Sequence, residues 1–417
     1  MAGHAHERRG TVTGAPGHQS DGVDLVGYHD LEGRPAFKLA LQVVDGRSFL
    51  YVTHFWEPRL SILDVTDPQD MRIVGSIEGP DNTATWQVQV ADGLLIQGLE
   101  HKPELWGGNP NLRAEEGVRI WDLHDPANPE LLSHWKTGAH GVHRNHYAGG
   151  RYVHLAASRP GFEGNIYVIL DIDDPRNPIE AGLWFLPEQF VDAGVTPAAR
   201  VSHHGPAYVS GDLAYLPYGA AGMVVLDIAD VTRPRLVSRL DIGGAFCSPV
   251  AMHSAVPVES RKLVLVNTEA IAERSEEPYN FAGVVDVRNE AAPRLLSLLP
   301  MPAPSAALPF ANFNTRGGRF GPHNQHHPQG SPDLFQSDHL VFMTWFNAGL
   351  RVYDTSDAYL PREIAWFLPD DPTERRGLLP KTLVTQSEDV LVDARGYIYM
   401  TDKNHGLHVM RLANPAD

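Results

Sequence analysis

The sequence predicts an all-β chain, a seven-bladed β-propeller closed by its own N-terminal strand, and two observations predict it. The phrase "LSILDVTDP" (Leu60 to Pro68) returns as "VRIWDLHDPANP", "IYVILDIDDPRNP", "MVVLDIADVTRP", "AGVVDVRNEAAP" and "LRVYDTSDAYLP", and a last copy, "GLHVMRLANP", lacks the aspartate. The copies recur about every 50 to 68 residues, the period of four-stranded propeller blades. Each copy is an apolar, β-branched run ended by a turn that proline enforces.

The strands of a blade follow in order. In the fourth blade "HHGPAYVS" is the innermost strand, "DLAYLPYG" the second, "GMVVLDIAD" the third and "RPRLVSRLDIGG" the outermost. Outer strands recur as "MRIVGSIEG", "PELLSHWKTG", "PIEAGLWFLP", "PRLLSLLPMP" and "PREIAWFLPD". The seventh blade stops after its third strand. Its outer strand is found at the other end of the chain, where "VDLVGYHDLEG" (Val23 to Gly33) has the same pattern. Pairing there closes the ring and removes two exposed strand edges. Residues 1–20 are expected to form a flexible N-terminal arm and residues 21–417 a single domain. His4 and His6 of the arm carry no expected role.

The repeated phrases resemble the LVIVD-repeat proteins, a family of β-propellers named for this strand, over nearly the whole chain after the first twenty residues. The resemblance implies the fold and says almost nothing of function, because propellers carry many unrelated activities.

Composition excludes several classes. The formal charge of −17 is repelled by nucleic acid and by anionic membrane surfaces. No apolar run approaches the roughly 18 residues of a spanning helix, and the first residues lack the apolar core of a signal peptide. Cys247 stands alone, so no intrachain disulfide forms, which fits a reducing cytoplasm. The expected partner is a small-molecule substrate; a homo-oligomer is compatible with the sequence.

Histidines gather in four places, "GAHGVHRNH", "VSHHGP", "VAMHSA" and "GPHNQHHPQG", each ahead of a strand. Aligned on their second strands, the third, fourth and fifth blades put His143, His204 and His253 in one register on the channel axis. In the sixth blade His327 falls nearest that register, with His323 and His326 as rivals. Neutral imidazoles converging from four blades suit one divalent ion, with iron(II) favoured and manganese, copper or zinc as alternatives. His146 and His203 are adjacent but out of register.

The four-histidine arrangement resembles, in architecture and in a faint echo at "HHPQGSPDLF", the carotenoid cleavage oxygenases, whose histidines hold non-haem iron(II). The LVIVD lines are not that family's, and its other motifs are absent. A competing resemblance is to oligogalacturonate lyases, where histidines and a glutamine hold manganese; Gln325 would be the counterpart.

Long loops on the face where the inner strands begin are where binding is expected. His54 and His101 fall there as candidate proton donors or bases, and Trp56, Trp345 and His405 as candidate substrate contacts. Glu388, at the start of the seventh inner strand, is the first choice for the carboxylate that orients a metal-bound imidazole, with Glu269 and Asp402 behind it. The reading is a metal-dependent oxidoreductase, an oxygenase acting on a small aromatic or unsaturated substrate. The alternatives are a lyase or hydrolase using the same ion with a histidine acid or base, and a non-catalytic interaction propeller. No Ser-His-Asp spacing, phosphate loop or dinucleotide fingerprint is present.

Overall fold

The computed structural model describes residues 12–191, 201–242, 250–278, 280–328 and 330–414; His4, His6 and Cys247 lie outside them. Seven four-stranded antiparallel sheets follow one another along the chain. The first blade runs through Ala36–Val44, Arg47–His54, Arg59–Asp64 and Arg72–Glu78, and the fourth through Tyr208–Ser210, Leu213–Pro217, Met223–Asp227 and Arg235–Leu240. The apolar runs of the second and third strands are buried on both faces, because each blade packs between two others.

The ring closes as the sequence predicts. Val23–His29 pairs antiparallel with Gly406–Leu412, from Val23 opposite Leu412 to His29 opposite Leu407. The preceding segment departs from expectation. His18–Asp21 pairs with Arg362–Pro369 as an added outermost strand of the sixth blade, so paired structure begins inside the segment assigned to the arm. On the opposite edge of the same sheet the innermost segment is reduced to a single bridge, Gln325 to Met343, so the sixth blade still counts four strands.

The repeated aspartates serve turns. Asp64 Oδ1 accepts from the Thr66 amide at 3.0 Å, and Asp122, Asp227 and Asp354 accept from the amide two residues on in the same way. Each such turn also seats the preceding blade. Every outer strand carries a β-bulge, and in six of the seven blades the residue after it faces a backbone carbonyl of the next blade's turn. Where that residue is serine it donates a hydrogen bond: Ser133 Oγ to Pro175 O at 2.6 Å, Ser238 Oγ to Glu290 O at 2.6 Å, Ser297 Oγ to Ala358 O at 2.7 Å. Where it is glycine, as at Gly27, Gly75 and Gly182, a Cβ would overlap the carbonyl oxygens of Pro68, Ala127 and Val231. The sixth blade has Ala365 at this position, with His18–Asp21 alongside. Among the described residues no helix is long and apolar enough to cross a membrane.

Two outcomes follow from this architecture. Deleting residues 1–33 removes the closing strand and exposes the edge of Gly406–Leu412, so the protein should melt at far lower temperature and aggregate, while deletion of residues 1–11 alone should leave the melting curve unchanged. Gly75→Ala forces a methyl group against the Ala127 carbonyl and should cost about 1–3 kcal/mol in chemical denaturation.

Candidate metal centre

Four inner segments bring one imidazole each to a common level of the axis. His143 sits in Val142–His146, His204 and His253 just before the inner strands of the fourth and fifth blades, and His323 in the segment that bridges through Gln325. Neighbouring rings lie 4.7 Å (His143–His204), 5.4 Å (His204–His253) and 4.9 Å (His253–His323) apart, centroid to centroid. Two imidazoles bound to one ion at about 2.1 Å, with ligand angles of about 90–120°, would have centroids about 4.5–5.6 Å apart. The spacing therefore fits one shared ion.

The orientation of the rings fits as well. His143 Nδ1 donates to Glu100 Oε2 at 3.0 Å, and its Nε2 is buried with no partner among the described residues. His253 Nδ1 meets Ser254 Oγ at 2.9 Å, and His323 Nδ1 donates to the Glu388 carbonyl at 2.7 Å. Three outer nitrogens are thus engaged, which fixes each ring and turns its other nitrogen towards the axis. The inner nitrogens converge on Glu269: His204 Nε2 is 2.9 Å from Oε2, and His253 and His323 Nε2 are each 3.7 Å from a carboxylate oxygen. His204, His253 and Glu269 offer ligand atoms within 4.8 Å of one another. Burial holds His253 and His323 well below their ordinary pKa and brings His204 to about 4, so the rings are neutral at pH 7 and able to bind a cation.

Charges of both signs surround this level. Arg144 Nη2 approaches His253 Nε2 at 3.2 Å. Arg319 pairs with Glu269 at 3.1 Å and Glu388 at 3.5 Å, and Lys403 Nζ donates to Glu388 at 2.6 Å. Burial, opposed by Glu388, brings Lys403 down to about 8. A cavity of about 40 Å³ opens onto the level, lined by Arg144, Arg319, His143, His204, His323 and Glu269 and walled by Phe37, Phe55, Trp86 and Trp106. Phe55 and Trp86 stack at 4.5 Å with their planes 4° apart. Trp106 and Ile271 come from the long loops after the second strands of the second and fifth blades, and Arg319 from the long entry to the sixth.

The structure brings together His143, His204 and His253 as the register predicts, and it seats His323, not His327, beside them. Counting back from the second strand fails in the sixth blade because residues 328–339 insert between the inner segment and that strand. His327 lies at another level, against His146 and Tyr208. His326 bonds Phe335 O and the Val392 amide and serves packing.

Glu388 stands beside His323 as expected, its Oε2 3.4 Å from Nδ1, and Glu269 is central. The remaining candidates are corrected. His54 is fully buried within the first blade, its ring nitrogens taken by Pro35 O and Ser61 Oγ, and it does not line the cavity. His101 packs edge-on against His140 and is also off the cavity lining. Trp345 is buried in the core between the fifth and sixth blades, and His405 bonds the Asp370 carbonyl near the ring closure. Trp56 packs edge-on against Phe55 and is off the cavity lining, which Phe55 meets. Asp402 accepts from Thr385, Gln386 and its own turn, and Gln325 donates to Leu265 O and Asn267; neither reaches the centre. Sequence reasoning missed Glu100, Arg144, Arg319 and Lys403. Only Arg144 carried a local signal, standing beside His143 in "HRNH".

His54 yields a pH test. Burial lowers it to about 3, so the native state keeps it neutral while the unfolded chain protonates it below about 6.5. The unfolded state then binds the extra proton, and stability attached to His54 is lost as pH falls from 6.5 towards 3. The stability gap between the parent and His54→Gln should narrow by about 2 kcal/mol between pH 7 and pH 5 in urea titrations. A constant gap would contradict a neutral buried ring.

Comparison with known proteins places the chain by its fold. Residues 207–242, most of the fourth blade, match the LVIVD repeat. No curated protein matches the chain. Among solved structures, the chain is similar to the β-propeller domain of Myceliophteria thermophila Cps50 (Swd1), at 11% identity and a TM-score of 0.54, over 91% of this chain and 99% of that one. A computationally designed protein, Ika8, aligns over 92% of this chain and 98% of its own at 10% identity and a TM-score of 0.48. The chain is thus a seven-bladed β-propeller in which residues 207–242 match the LVIVD repeat.

Proposed function

We propose that the propeller is a metal-dependent enzyme, an oxidoreductase of the non-haem iron(II) class, with the ion held by His143, His204, His253, His323 and Glu269. The single observation that carries this reading is the convergence of the inner nitrogens of His204, His253 and His323 on one buried carboxylate, Glu269, with His143 alongside. With five protein ligands, an iron(II) ion bound there would keep one open position of six, for dioxygen or for a substrate oxygen. Glu100 and Glu388 keep the rings oriented, and the aromatic wall of Phe37, Phe55, Trp86 and Trp106 excludes water and offers a face to an apolar or unsaturated substrate. The cavity of about 40 Å³ has room for an ion and a few waters, so a substrate of several heavy atoms requires movement of the segment around Glu104–Trp106, where Leu105 is 72% exposed.

A second reading is favoured by the guanidinium groups. Arg144 and Arg319 line the cavity and would stabilise negative charge developing on a substrate, which suits a lyase or hydrolase using the ion as a Lewis acid. The charge of −17 supports a small-molecule partner over nucleic acid or an anionic membrane, and the lone cysteine supports a cytoplasmic setting.

Anaerobic iron(II) titration followed by elemental analysis tests the ligand set. His323→Ala and Glu269→Gln should each bind about one equivalent less than the parent, with His54→Gln unchanged. Metal content equal to the parent's in His323→Ala would refute the ligand set. Oxygen uptake by the loaded protein with unsaturated and aromatic probes then separates the two chemistries.

A further inference from the structure

A second group of rings lies on the axis below the first. His146 is three residues beyond His143 along the same inner strand, about 10 Å further down the channel, and His327 is four residues beyond His323. These two rings come from the third and sixth blades and meet with centroids 5.6 Å apart, planes tilted by 58°. Tyr208, from the inner strand of the fourth blade, packs against both, at 4.6 Å from His327 and 5.2 Å from His146.

Two polar atoms of this group have no partner among the described residues. His146 is 1% exposed and its Nδ1 has no hydrogen-bond partner among the described residues; the buried Nδ1 of His327 has none either. Leaving a buried imidazole nitrogen unpaired costs about 1–3 kcal/mol, and here two such nitrogens sit on facing rings. His146 lies opposite His154 in the strand ladder, and His154 Nδ1 is bonded to Tyr167 at 2.7 Å. The nearby cation, Lys38, is paired with Asp389 at 2.9 Å, so its charge is matched. The centroid distance of 5.6 Å falls within the about 4.5–5.6 Å expected of two imidazoles on one ion, at the wide end of the range.

We infer that His146, His327 and Tyr208 form a second metal site on the propeller axis, for a borderline divalent ion of the zinc or copper class. Two imidazole nitrogens and a phenol oxygen are donors that such ions accept, whereas calcium or magnesium requires oxygen ligands throughout. This site shares no ligand with the upper centre and stands or falls independently of it.

Zinc titration of the full chain against a chromophoric chelator tests the site. The parent should hold about two tightly bound zinc ions, and His146→Gln and His327→Gln about one each. The paired variant His253→Ala/His323→Ala, which leaves the lower rings intact, should still hold about one. Tyr208→Phe should weaken that remaining ion about tenfold or more without abolishing it. Thermal unfolding of each variant with and without zinc reports whether it is folded, and the paired upper-site variant keeps the test valid if a lower-site variant is not. If the paired variant binds no zinc, or if His146→Gln and His327→Gln both retain the parent's stoichiometry, there is no second site. Should the lower site fill while the upper stays empty, the inference stands and the proposed iron centre falls.

Discussion

Closure of the ring is the constraint on which everything else rests. A propeller blade has an apolar face on each side, and neither can be buried until the blade has two neighbours. The first and seventh blades obtain theirs only because Val23–His29 leaves the start of the chain to pair with Gly406–Leu412 at its end. The same strand carries Gly27, whose missing side chain lets the seventh blade seat on the Pro68 turn of the first. The bulge-and-turn contact then repeats around the circle, as glycine where backbone approaches backbone and as serine where a hydroxyl bridges the gap. Stability is thus spread over many similar joints, which leaves the axis free to carry residues that do nothing for folding.

The axis uses that freedom for charge. Three carboxylates, Glu100, Glu269 and Glu388, and three cations, Arg144, Arg319 and Lys403, are buried or half-buried at or beside one level with four imidazoles. Ionised groups are costly to bury, and the arrangement holds because each carboxylate accepts from at least one donor. A packed apolar channel would be cheaper. The concentration of ionisable groups where no core demands them is the strongest structural sign of function in the molecule.

Much of this was legible in the sequence, for a physical reason. The repeat phrase fixes the strand order in every blade, and a strand's period of two makes register transferable between blades wherever the loops keep their length. His143, His204 and His253 were found in that way. The sixth blade breaks the rule: twelve residues, 328–339, separate its inner segment from the second strand, so the count landed four residues late, on His327 in place of His323. Residues such as Arg319 and Lys403 reach the centre from long loops and third-strand turns, whose paths no periodicity describes. His54, Trp345 and His405 failed for the opposite reason. They fall on the right face of the ring, but face alone does not say whether a ring points to the axis or into the packing between blades.

Anomalous X-ray scattering from crystals of the iron-loaded protein, measured across the iron absorption edge, tests the central claim most directly. The account predicts a peak on the propeller axis, at about 2.0–2.2 Å from the ring nitrogens of His143, His204, His253 and His323. A map with no peak among those four rings, in crystals whose loading is verified by fluorescence, would contradict it.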